Sequence, residues 1–171
     1  MNDIYKQIVI ENFGGSMLCP SCLQLFSVDK LKEYDNLSGD LFYLCPNKKC
    51  GNKQLFIVDD LMIETIILLN RKNYRTVGCC SGHITDLESS GIYIEFDKEI
   101  KDIIVDLVPP NSSGLRREDD IATFVYYLDS DIVTCKTSPL EKMKYLYEGN
   151  RAFYEWAEQL NPLNFEYASD S

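Results

Sequence analysis

Two pairs of cysteines carry the plainest chemistry in this chain: Cys19-Pro20-Ser21-Cys22 and Cys45-Pro46-Asn47-Lys48-Lys49-Cys50. A Cys-x2-Cys turn aims two thiolates at one ion, and a tetrahedral Zn2+ needs two such pairs to close a structural site. The gap between Cys45 and Cys50 is wider than the commonest one but lies within the range such knuckles show. Cys19, Cys22, Cys45 and Cys50 are therefore read as the ligands of one Zn2+. Free or disulfide-bonded cysteines are the competing reading, and they would require an oxidising compartment. The first seven residues show no basic start leading into an apolar run, so a cytoplasmic chain with reduced thiols is expected.

A second constellation is Gly78-Cys79-Cys80-Ser81-Gly82-His83, with two of the three remaining cysteines and the only histidine. Cys79, Cys80, Ser81 and His83 are the candidates for catalysis or small-ligand binding. A thiol beside an imidazole makes a nucleophile and base pair, and the Ser81-Gly82 turn offers backbone amides to an anion or oxyanion. A second metal site here would draw on Cys135, Asp86 or Glu88. Neighbouring strand residues point to opposite faces, so without a bulge one of Cys79 and Cys80 should be core and the other free to meet His83. The structural alternative makes both cysteines small buried residues at a strand end and His83 a turn cap.

The paired cysteines over roughly residues 17–58 resemble the broad zinc-ribbon class, whose members serve in nucleic-acid binding, in protein docking and as structural staples. The stretch from Leu69 through Arg71-Lys72-Asn73-Tyr74 to Cys79-Cys80-Ser81-Gly82-His83-Ile84 looks like a pattern in small uncharacterised proteins of low-GC Gram-positive bacteria and their phages. More distantly it is similar to the Cys-Ser-Gly turn of the tRNA wybutosine-synthesis methyltransferase family, with His83 where that family carries Arg. This likeness implies a helix, strand, ligand-turn, strand layout.

The elements that must position these residues follow from local pattern. Leu23–Val28 and Leu41–Leu44 are short apolar runs on either side of a turn-rich stretch at 35–40, which predicts a hairpin leading into the second knuckle. Gln54–Val58 returns as a strand. Residues 4–13 form a short helix or a strand, ended by Gly14-Gly15. Asp59 and Asp60 are candidate N-caps for a buried helix with Leu61, Met62, Thr65, Ile66, Leu68 and Leu69 on its apolar stripe. Arg71 and Lys72 suit that helix's negative end, and Asn73 suits a left-handed stop.

Beyond it, 74–80 and 91–96 read as strands, 98–107 as a helix stopped by Pro109-Pro110, 111–120 as a polar loop and 121–128 as a strand. Ser138-Pro139-Leu140-Glu141 is a capping box that opens a long helix, with Leu140, Met143, Tyr147, Phe153, Trp156 and Leu160 as its apolar face. The expected fold class is α+β: a zinc ribbon at 1–58 packed on a sheet-plus-helices module at 59–171.

The 171 residues are 45% apolar, enough for a true core, and no run approaches the ~20 apolar residues of a membrane span. Net charge is −10. Residues 1–75 carry nine Lys or Arg and nine Asp or Glu, whereas 76–171 carry eight and eighteen, so the excess acid lies in the second half. A Zn2+ held by four thiolates adds a further formal charge of about −2. Extended contact with a phosphate backbone, which needs many cations, is not expected.

Three functional readings stand in order. The first is a small acidic zinc-binding protein-interaction module or phage inhibitor with a basic partner. It would present tyrosines such as Tyr126, Tyr127, Tyr145 and Tyr154, with Asp102, Asp106, Glu118, Asp119 and Asp120 mimicking phosphates. The second is an enzyme or small-molecule binder centred on Cys79–His83. The third is nucleic-acid binding through Lys48, Lys49, Lys53, Arg71, Lys72 and Arg75.

Overall fold

A computed structural model describes residues 14–35, 41–51, 53–82, 91–116, 122–126 and 138–164. Strand β1 (Ser16–Leu18) lies between β2 (Leu25–Ser27) and β5 (Phe56–Val58), and β3 (Glu33–Asp35) pairs with β4 (Leu41–Tyr43). A separate four-stranded sheet holds β6 (Thr76–Cys80), β7 (Ile92–Phe96), β8 (Ser112–Arg116) and β9 (Ala122–Tyr126) in the order β6-β7-β9-β8. Every pairing is antiparallel. Helices α1 (Ile63–Arg71), α2 (Lys101–Ile104) and α3 (Pro139–Gln159) complete the described α+β fold.

Strand β7 is a half-buried strand of period two: Ile92, Ile94 and Phe96 are wholly buried while Tyr93 and Glu95 are partly exposed. In one cluster with this face are Met62 from the 3-10 turn before α1, Ile66 and Leu69 from α1, and Phe153 and Trp156 from α3. Trp156 sets its ring edge-on to Phe96 and to Phe153, at centroid distances of 6.3 and 6.4 Å. Leu18 and Val58, from β1 and β5, belong to the same apolar cluster. β5 ends at Val58 and the 3-10 turn Asp60–Met62 follows, and this apolar cluster takes residues from both sides of that point.

Several expectations are corrected. The partner of β4 is Glu33–Asp35, and the 23–28 run instead supplies β2, which pairs with β1. Periodicity marks a strand but does not choose its neighbour. Ser112–Arg116, read as loop, pairs with β9 along its whole length, because backbone hydrogen bonds ask for no apolar side chain. Asn73 does take the left-handed conformation, at φ 68°. Leu61, expected on the buried stripe, is 54% exposed.

The capping box of α3 forms as the sequence predicts, with Ser138 and Glu141 each bonding the other's backbone N–H. Its buried face, however, is Leu146, Gly149, Asn150, Phe153, Trp156 and Ala157, so the first turns stand clear of the core. Leu140, Met143 and Tyr147 point outward there, at 76, 53 and 61% exposure. The 4–13 segment, His83, Asp86, Glu88, Glu118, Asp119, Asp120, Tyr127 and Cys135 lie outside the described residues.

Candidate metal centre

Each cysteine pair sits at the tip of a hairpin. The first knuckle joins β1 to β2, and its backbone closes on itself through Leu23 N–H to Cys19 C=O (3.0 Å) and Cys19 N–H to Gln24 C=O (3.1 Å). Leu23 takes φ +56° to make that reversal. The second knuckle lies between β4 and β5, which approach through the Leu44–Gln54 bridge and the Cys45 N–H to Lys53 C=O bond at 2.8 Å. A 3-10 turn, Lys48–Cys50, fills the wider gap, capped by the Asn47 carboxamide oxygen on Lys49 N–H, and Gly51 at φ 62° ends it. The extra residues of Cys45–Cys50 are therefore one turn of helix that brings Cys50 back to its partner.

The four sulfurs converge, all within 4.8 Å of one another. A Zn2+ with thiolate arms of about 2.3 Å would hold its sulfurs about 3.8 Å apart. Cys22 and Cys45 Sγ are 3.8 Å apart. The donor set therefore fits a tetrahedral, thiolate-preferring ion. Cys19, Cys45 and Cys50 are buried and Cys22 is partly so, packed with Met17, Val28, Leu31, Tyr43 and Leu55. The sulfurs are thus part of the small core they would staple.

The four thiols do not share one proton affinity. Burial pushes Cys45 up to about 12, and burial likewise raises Cys50. At Cys22 burial also acts upward, but hydrogen bonds from the Gln24 backbone and the other three thiols outweigh it and lower that thiol. One thiolate can be solvated by its neighbours, whereas four in this space need a cation.

The second constellation lies at the end of β6. A register shift between Thr76 and Gly78 breaks the simple alternation, and both Cys79 and Cys80 are buried, at 9 and 4% exposure. Burial first, with the nearby Asp59 and Glu95 charges, pushes Cys79 up to about 12; burial also raises Cys80. The Ser81 N–H is bound by the Asp59 carboxylate at 2.6 Å, and Gly82 N–H points at Cys80 Sγ at 3.4 Å, so both amides of the turn have partners. Ser81 C=O receives Asn150 Nδ2 at 3.0 Å. Gly82 has φ +82°, and a Cβ there would stand 2.5 Å from Leu146 Cδ2, so only glycine fits.

Asp59 and Asn150 are the members of this buried knot that sequence reasoning missed. Asp59 occupies the position before a 3-10 turn but makes no side-chain cap, because its carboxylate turns inward. Asn150 shows itself only as an amide on the buried side of a helix, where a polar group needs a partner.

Of the six cations read as a nucleic-acid set, Lys72 points its ammonium at Ala157, Glu158 and Leu160 C=O, at 2.7–2.8 Å, closing the C-terminus of α3. Arg75 pairs with Glu99 at 3.1 Å. Lys53 and Arg75 line an open cleft of about 430 Å3 with Pro20, Ser21 and Asp97. Lys48, Lys49 and Arg71 are exposed. No helix among the described residues is long and apolar enough to cross a membrane.

Compared with protein-family models, with curated proteins and with solved structures, the chain finds no match.

Proposed function

We propose that this chain is a small acidic protein-interaction module whose N-terminal ribbon is stapled by one Zn2+ on Cys19, Cys22, Cys45 and Cys50. The observation that carries the metal is the convergence of four sulfurs within 4.8 Å at the tips of two hairpins. Two knuckles that supply four thiolates complete a tetrahedral, closed site, which fits a staple rather than a reaction centre. What supports the interaction role is the net charge of −10 together with the large exposed side chains on α3. The partner of such a surface is basic. A cytoplasmic setting, where thiols stay reduced, belongs to the same reading.

The experiment is elemental analysis of the purified chain, with thiols counted before and after chelation. One zinc per chain, with four further thiols appearing on chelation, supports the reading; no metal at all removes it. A pull-down whose captured basic proteins elute with salt tests the partner, and capture indifferent to salt would exclude a charge-driven interface.

Ligand binding at Cys79–His83 is a second reading, favoured by the concentration of Asp59, Cys79, Cys80, Ser81 and Asn150 around one turn. It predicts that His83→Ala abolishes binding in a small-ligand screen while the fold persists. Binding indifferent to that change would end it.

A further inference from the structure

The middle of α3 and the start of α1, with the 3-10 turn before it, enclose an open groove of about 550 Å3, floored by Thr65 and Asn150 and walled by Asp60, Glu64, Tyr147 and Tyr154. Leu140, Met143 and Tyr147 recur at helical spacing, so an exposed apolar stripe runs down α3 into this groove, and Leu61 flanks it at 54% exposure. Contiguous apolar surface of this kind is uncommon on a protein that stays alone. The groove's charge is negative. Among the described lining residues the one cation, Arg151, is paired with Glu155 at 2.7 Å, while the carboxylates are Glu64, exposed at the start of α1, and Asp60, which also accepts a 3.3 Å bond from the Ser16 hydroxyl. Asn150 is 5% exposed, and its Oδ1 has no hydrogen-bond partner among the described residues.

We infer that this groove docks an amphipathic, basic segment of a partner protein. Apolar residues of the segment lie along Leu140, Met143 and Leu61, while a Lys or Arg enters between the Asp60 and Glu64 carboxylates and the rings of Tyr147 and Tyr154. A long cationic side chain suits both halves of the groove, since its methylene stem packs on apolar surface while its head meets the carboxylates. The inference rests on the protein-binding reading above and names the face that carries it.

The test is calorimetric titration of the zinc-loaded full chain with a short amphipathic leucine/lysine peptide, beside a scrambled peptide of the same composition. Glu64 and Tyr147 are both exposed, so Glu64→Lys and Tyr147→Ala should keep the fold, which circular dichroism checks. Asp106→Lys makes a comparable charge change outside the groove lining. The expected result is one amphipathic peptide per chain, weakened about tenfold by each groove variant and less than about twofold by Asp106→Lys.

Equal weakening by Asp106→Lys would assign the attraction to diffuse charge and overturn the groove. If the peptide binds and ignores both groove variants, the groove falls while the protein-binding reading stands. No binding of either peptide also removes the groove, and the interaction role then rests on the salt-eluted pull-down alone. Self-association that disappears in Tyr147→Ala would give the face to a second copy and overturn the basic partner.

Discussion

The carboxylate of Asp59 accepts the backbone N–H of Ser81 at 2.6 Å, and both residues are buried. This bond ties the chain leaving β5 to the end of β6, where Asn150 of α3 holds the Ser81 carbonyl from the other side. Three separate stretches of sequence therefore meet on one residue, Ser81. A buried backbone N–H must find a partner, and an anionic acceptor supplies a short, strong bond.

Asp59→Ala should therefore cost about 2–3 kcal/mol, because it leaves the Ser81 N–H buried and unsatisfied. Asp60→Ala, at an exposed neighbour that accepts a 3.3 Å bond from the Ser16 hydroxyl, should stay within about 1 kcal/mol. Urea denaturation of the two variants compares them directly. Equal losses would mean that the inward carboxylate carries no special role.

Lys72 closes the end of α3 by directing one ammonium at three carbonyls. Replacing it with Met keeps the stem but strips the last turn of its cation, at an expected loss of about 1–2 kcal/mol. Hydrogen exchange should rise first near the end of α3, around residues 155–160. Unchanged protection there would show that the Tyr74 hydroxyl on Asn161 C=O and the neighbouring bonds suffice.

Removing the metal should unfold the ribbon before the larger sheet. The ribbon's small core is built around the four sulfurs themselves, whereas β7, α1 and α3 bury a second apolar cluster to which the ribbon strands lend Leu18 and Val58. Chelation should thus expose the thiols of Cys19, Cys22, Cys45 and Cys50 to a thiol reagent while tryptophan emission from Trp156 changes little. Acid should release the ion too, since each ligand must shed a proton to bind. Loss of both signals together would make the ribbon and the larger core one cooperative unit.

Cys79 gives the fold an alkaline limit. Its folded proton affinity of about 12, against an ordinary 9.0, means that the folded chain keeps a proton the unfolded chain loses. The stabilisation is complete below pH 9.0 and disappears as pH climbs toward about 12. Cys79→Ala should flatten that decline, at the expense of about 1 kcal/mol near neutrality from lost packing. An identical alkaline slope in the variant would falsify this account.

Much of the chain could be read locally. The paired cysteines announced their convergence because a Cys-x2-Cys turn presents its thiols whatever surrounds it, and the capping box set the start of α3 because all its partners lie within four residues. Residues 91–96 read as a strand from their run of branched and aromatic residues, and they form β7. These signals are short in range, so sequence by itself determined them.

Other features needed the assembled fold. Which strand β2 would join, that Ser112–Arg116 would pair with β9, and that Asp59 would turn inward rather than cap a helix all depend on partners far along the chain. On α3 the same helical spacing buries Phe153 and Trp156 yet leaves Leu140, Met143 and Tyr147 in the open. Periodicity shows that a face is apolar; only the sheet and helices around it decide where along the helix that face is covered, because burial is a property of neighbours and not of residues.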